Sequence, residues 1–127
     1  SFKKEIIDGV HRPDDEYRIA LYTEAASLGA HTTGYSTADE VVGQGYVAGG
    51  TVLSGRQTGV YGTTGWLTFA SVTWPDSTIK SRGALIYNKS RENRACLVLD
   101  FGKDEVSQAD RFTVDLPPAG ADALWRF

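Results

Sequence analysis

The chain is poor in residues that staple, ligate or react. Its one cysteine, Cys96, cannot close an internal disulfide, so a disulfide framework is excluded. There is no methionine, and the histidines are only His11 and His31. Two histidines and one cysteine make no typical structural zinc site without carboxylates, and none of the three sits at ligand spacing. No apolar run approaches the roughly 18 residues of a membrane-spanning helix, so no membrane partner is expected. The start, Ser1-Phe2-Lys3-Lys4, carries no apolar leader. A small residue at position 1 fits removal of an initiator methionine, and a cytosolic product is expected. A basic excess is also missing: 13 Lys and Arg stand against 16 Asp and Glu, a net charge of −3. Phosphate contacts dominate nucleic-acid affinity, so no nucleic-acid partner is expected.

What is present describes an ordered domain. The length, 127 residues, suits one unit and is too short for a (β/α)8 barrel. With 41% hydrophobic residues the chain is too apolar for disorder. Folding should hide roughly two-thirds of its unfolded surface, enough to need no metal. Charge is uneven along it. Residues 1–63 hold five basic and eight acidic side chains, and residues 64–127 hold eight of each. Lys80, Arg82, Lys89, Arg91 and Arg94 face only Glu92 in the local sequence. That stretch is either a positive face or a solvated loop with its flanking strands.

Phe2, Ile6, Ile7 and Val10 share one helical face, ended by Pro13. The spacing predicts a short N-terminal helix or arm over 1–13, packing on its own domain or on a neighbour. Tyr17, Ile19 and Leu21 alternate with Arg18, Ala20 and Tyr22, which predicts a strand. Residues 23–40 read as a long excursion with a helical turn at Glu24–Leu28. Loops of that length often carry contacts. From residue 41 strand follows strand: Val41-Val42, Tyr46-Val47, Thr51–Leu53, Thr58–Tyr61, Gly65–Ala70, Val72–Trp74, Ala84–Tyr87, Ala95–Phe101, Phe112–Leu116 and Ala123–Phe127. The runs Ala84–Tyr87 and Ala95–Phe101 suit strands covered on both faces. About eight or nine short strands with glycine turns and no long amphipathic helix predict an all-β fold. An antiparallel β-sandwich or a jelly-roll-like barrel, as a single β domain over 1–127, is the expected architecture.

The chemical motifs are weak. Gly43-Gln44-Gly45-Tyr46-Val47-Ala48 fits G-x-G-x-x-A, but Gly49-Gly50 and β-branched Thr51-Val52 follow, so no helix opens there. Residues 51–75 contain no acid to meet a ribose. A glycine-bent strand and a turn are expected, with no cofactor. Gly34-Tyr35-Ser36-Thr37-Ala38 approaches a nucleophile elbow but lacks its second glycine and a preceding apolar strand. Asp14-Asp15-Glu16 and Asp104-Glu105 lack the spacing of a calcium loop and read as solvated turns. Asn88-Lys89-Ser90 matches a glycosylation sequon. Cys96, inside Ala95–Leu99, reads as a small buried hydrophobe. Trp66, Trp74 and Trp125 are either a stacking platform for sugars or packing residues.

One similarity reaches across most of the chain. It lies in Phe2-Lys3-Lys4, Arg18–Thr23, Ala25–Ala30, Glu40-Val41, Gly45–Gly50, Val72-Thr73-Trp74, Arg82–Asn88, and Asn93-Arg94-Ala95 through Leu99–Gly102. In these segments the sequence resembles small virion structural proteins of tailed bacteriophages. The resemblance implies a non-enzymatic part of the particle: a capsid cement or decoration protein that bridges major capsid subunits, or a tail, neck or fibre-base adaptor. A carbohydrate-binding β-sandwich is the alternative that the tryptophans leave open. The resemblance implies no catalytic residue, cofactor or metal. It does imply other virion proteins as partners, the major capsid protein first, and a homo-oligomer. The expected contact residues are Phe2, Ile6, Ile7 and Val10 in the arm, Lys89, Arg91 and Arg94 in the charged stretch, and Trp125 and Phe127 at the end.

Overall fold

The computed structural model describes residues 9, 11, 12, 14–29, 32–61, 64–116, 125 and 126. These form antiparallel β-structure throughout: β1 (Tyr17–Tyr22), β2 (Thr51–Val52), β3 (Gln57–Tyr61), β4 (Thr64–Thr68), β5 (Val72–Asn88), β6 (Arg94–Val114) and β7 (Trp125–Arg126). A four-stranded sheet runs β2-β1-β5-β6 and a three-stranded sheet runs β3-β4-β7. The all-β expectation holds for the described residues. The helix or arm over 1–13, with Phe2, Ile6, Ile7 and Val10, lies outside them, apart from Gly9, His11 and Arg12.

The alternation in β1 works as the sequence suggests, because β1 is interior to its sheet. Ile19 stands opposite Ile86, and Leu21 opposite Ala84, on one face. Ala20 opposite Leu85 occupies the other. All six residues are fully buried. Each large aliphatic side chain so buried contributes about 1.5–3 kcal/mol relative to exposure. The first face gathers Tyr17, Ile19, Leu21, Ile79, Ala84 and Ile86 with Val41, Leu53, Leu67, Phe69, Trp74 and Phe112, so β4 joins the core through Leu67 and the adjoining Phe69. The second face gathers Ala20, Tyr22, Leu85 and Tyr87 under Ala26, Leu28 and Tyr35 of the excursion 23–40. The long loop is therefore the lid of a second core.

Several sequence expectations give way here. The segments Val72–Trp74 and Ala84–Tyr87 are parts of one strand of 17 residues, and Ala95–Phe101 and Phe112–Val114 belong to one strand of 21. The two form a single long hairpin, turned by a 3-10 turn at Lys89–Arg91 and by left-handed Glu92 (φ 58°) and Asn93 (φ 56°). Pro75 does not end β5, because the register shifts between Trp74 and Ser77 and the ladder there needs no N–H from proline. Val41-Val42 and Tyr46-Val47 are loop, not strand, and Gly43–Ala48 is no glycine-bent strand. That loop lies along β5, with Thr78 N donating to Gln44 O at 2.9 Å. A Cβ on Gly43 would sit 2.2 Å from Thr78 O, so only glycine permits this approach. Glu24–Leu28 contains a turn but no helix.

Candidate functional site

The charged stretch folds differently from its appearance in sequence. Chain reversal brings carboxylates from distant segments to all of its cations but Arg94, whose partner is the local Glu92. Arg91 Nε and Nη2 meet Asp15 Oδ2 and Oδ1 at 3.0 and 3.1 Å, a bidentate pair across 76 positions. Lys89 Nζ lies 3.8 Å from Glu16, and Arg94 Nη2 lies 4.0 Å from Glu92. Further along, Arg82 Nε is 3.1 Å and Lys80 Nζ 3.5 Å from Asp104, while Arg82 Nη2 is 3.5 Å from Glu24. A bare positive face is thus absent among the described residues. Lys89, Arg91 and Arg94 do cluster around the hairpin turn, but as one half of a charge-balanced patch. Asp14-Asp15-Glu16 is not a solvated turn, since two of its three acids are in ion pairs.

Asp15 is the centre of a buried knot. Its Oδ2 accepts from Arg12 N (3.0 Å), Asn88 Nδ2 (2.9 Å) and Arg91 Nε. Asn88 Nδ2 also lies 2.9 Å from His11 Nδ1, and an amide nitrogen only donates, so the imidazole nitrogen accepts. Asn88 Oδ1 takes Ser90 N at 3.1 Å, and Ser90 Oγ takes Glu16 N at 2.8 Å. The sequon asparagine is 0% exposed and its amide is fully engaged, so the folded protein offers no glycan acceptor there. Burial pushes the Asp15 carboxyl up, but the hydrogen bonds from Arg91, Asn88 and Arg12 and the Arg91 charge outweigh it and lower the pKa to about 2. The folded state therefore binds fewer protons than the unfolded state between about pH 4 and pH 2. Stability from this group is complete above that window and lost as pH falls through it. After discounting for the open Arg91 side, the loss should be about 1–2 kcal/mol. Acid titration of chemical denaturation midpoints checks it: the wild type should lose this increment, and Asp15→Asn should lack it.

A second knot was not visible in the sequence. Glu40, 7% exposed, accepts from the Tyr35 hydroxyl at 2.7 Å, from the Tyr46 hydroxyl, and from Gly49 N at 2.8 Å. The Tyr46 oxygen in turn accepts from Leu21 N of β1 at 2.9 Å. Tyr87 donates to Gly49 O at 2.7 Å and stacks on Tyr35 at 4.7 Å, and Tyr22 donates to Ser36 O at 2.6 Å. Burial raises the phenols of Tyr35 and Tyr46, and the hydrogen bonds to Glu40 raise them further. Burial takes Tyr22 up to about 12. The carboxylate is ringed by donors and pins both the 23–40 excursion and the 41–50 loop to the sheet. The one legible sign was an acid flanked by Tyr35 and Tyr46 in a loop otherwise short of large side chains.

Other candidates fall into place around these knots. Ser36 Oγ accepts from Ala38 N at 3.1 Å, so it serves a turn, and His11 is committed to Asn88. His31 lies outside the described residues. Cys96 is buried. Among the described residues no group of three or more His, Cys, Asp or Glu could hold a metal. A cleft of about 120 Å³ lies beside Tyr22, Leu28, Arg82, Val98 and Asp100, and one of about 360 Å³ beside Val42, Glu24, Lys80 and Asp104. The cations lining them, Arg82 and Lys80, are paired with Asp104 and Glu24. Trp74 is buried between Tyr46 and Phe112, each ring 6.1 Å away, and is no sugar platform. In the three-stranded sheet Trp66 pairs with Arg126, and Trp125 with Leu67. Phe127 lies outside the described residues. Among the described residues the large exposed apolar ones are Val42, Val47, Val52, Val60 and Val106. No protein-family model matches the chain, and no curated protein or solved structure matches it.

Proposed function

We propose that this chain is a non-enzymatic structural protein of a tailed-phage virion, of the capsid cement or decoration type, which bridges major capsid subunits as an oligomer. The observation that carries the reading is where its buried polar groups are spent. The Glu40 and Asp15 knots fasten loops to a sheet instead of opening a cleft, as suits a block that is gripped by neighbours. Two antiparallel sheets joined through one core support a β-sandwich, or a jelly-roll-like variant of it. The sequence resemblance adds the particle. Many weak contacts suffice for such a protein, because repetition over a shell multiplies them. Burial of Trp74 removes one of the three tryptophans from the carbohydrate-binding alternative.

The test is the copy number in purified particles of the phage that encodes the chain, read by quantitative mass spectrometry against the major capsid protein. An abundance comparable with that of the shell subunit is expected. An abundance matching the tail and neck proteins would replace this reading with an adaptor at one vertex. Absence from particles would end both.

A further inference from the structure

The sheet edges of this protein are treated unequally. β2 is an edge of only two residues. β6 is an edge of 21 residues, but it carries Asp100, Lys103, Asp104, Glu105, Asp110 and Arg111 and is broken by register shifts against β5. Its chain bends at Gly102 (φ 76°) and Ala109 (φ 50°). Its first residues are closed by the excursion: Ala95 N donates to Thr33 O, and Tyr35 N to Asn93 O, both at 2.9 Å. Short length, charge, bulges and a covering loop are the standard ways of blocking edge-to-edge association.

Among the described residues β3 has none of these. It runs Gln57-Thr58-Gly59-Val60-Tyr61 in unbroken register against β4, with no proline and no charge. Residues 57–75 contain no Asp, Glu, Lys or Arg, in a chain that is 23% charged. Among the described residues β3 pairs with β4 alone, and none of them takes up the N–H and C=O groups of its other edge. Gln57 and Thr58 point to opposite faces of the strand, and both are exposed. Val60 is 73% exposed.

We infer that β3 pairs edge to edge, antiparallel, with β3 of a second copy of this chain. The strand is self-complementary. With Gly59 on the two-fold axis, Thr58 of one copy stands opposite Val60 of the other, and the same contact recurs on the far side of the axis. β-branched side chains such as these pack well against their neighbours on a pleated surface. Gly59 opposite Gly59 puts no side chain at the axis. Each copy has net charge −3, so two copies repel through most of their surface. The uncharged strand is where that repulsion is least. The joined sheet would read β7-β4-β3-β3-β4-β7. One five-residue strand buries far less than the roughly 1,600 Å² of a standard stable interface. The pairing is therefore weak in dilute solution and strengthens where copies are crowded or held on a common support. It stands independently of the virion reading.

Two measurements test it on the whole chain. Sedimentation equilibrium over a concentration series should show a reversible monomer–dimer equilibrium. Val60→Lys should raise its dissociation constant about tenfold or more, and Thr58→Lys should act alike. Val106→Lys, an equally open position at 64% exposure on β6, should leave it unchanged. The register is read by cysteine cross-linking. Thr58→Cys and Val60→Cys, one carrying a mass tag, should form a disulfide with each other on mild oxidation, and neither should link efficiently to itself. A monomer at every concentration, an unaltered dimer in Val60→Lys, or self-linking of Val60→Cys as strong as the mixed product would each overturn the inference.

Discussion

Glu40→Ala is expected to cost about 3 kcal/mol or more of folding stability, although the residue lies in a loop. The cost comes from stranded donors. Removing the carboxylate leaves the Tyr46 hydroxyl, the Tyr35 hydroxyl and Gly49 N without their acceptor. Tyr35 is half-buried, so its hydroxyl can turn to water at reduced cost. Tyr46 is buried and its oxygen is held by Leu21 N, so its hydroxyl cannot turn freely to water. A buried donor left unpaired costs about 1–3 kcal/mol, and a bond to a charged acceptor is worth more than a neutral one. Glu40→Gln separates the acceptor from its charge. Its amide oxygen can replace Oε2, which serves both Tyr46 and Gly49, while its nitrogen donates to the Tyr35 oxygen. The Gln variant should lose only about 1 kcal/mol. Denaturant midpoints at unchanged slope measure both. A Gln variant as damaged as the Ala variant would show that the hydrogen-bond count is not what holds the loops.

The strands with clean alternation or unbroken apolar runs were legible because periodicity records burial directly. β1 and the stretch Ala84–Tyr87 are the examples, each covered on both faces, whereas Ala95–Phe101, expected to be covered likewise, lies on the edge strand β6 and is only partly buried. What misled was local chemistry that tertiary context overrides. Pro75 and the charged run Asp100–Glu105 look like boundaries, yet the β5–β6 hairpin absorbs both in register shifts. Val42 and Val47 look like strand residues, yet they are exposed in a loop whose polar groups are satisfied by Glu40 and by β5. The apparent basic stretch at Lys80–Arg94 misled for a related reason. Counting charge along the chain cannot see that Asp15 returns to Arg91, or Asp104 to Arg82. The Glu40 knot was hard to read because its members come from four loop positions and two strands. No spacing rule describes an acid that meets two phenols and a backbone amide after the chain has folded.

The loop's most constrained point is Gly50, and Gly50→Ala should be at least as damaging as Glu40→Ala, at about 4 kcal/mol or more. Two requirements coincide there. Its φ is +76°, a region that strains any side chain. A Cβ would also lie 1.8 Å from Ile19 O and 2.9 Å from the Ala20 Cα. Those atoms are the backbone of the central strand β1, fully buried, and cannot yield. Gly102 separates the two effects. Its φ is also +76°, but nothing lies within 4 Å of its Cβ position, so Gly102→Ala should cost only about 1 kcal/mol. Equal losses at the two glycines would refute the close approach of the loop to β1. The relief available to Gly50→Ala is for residues 47–52 to lift away, which breaks the Ile19–Thr51 pairing and the Gly49 bonds to Glu40 and Tyr87. Part of what Glu40→Ala removes is then already gone. The double variant should therefore fall short of the sum of the singles by about 1–2 kcal/mol. Strict additivity would mean that Glu40 holds the 23–40 excursion alone, and that the two loops are fastened to the sheet separately.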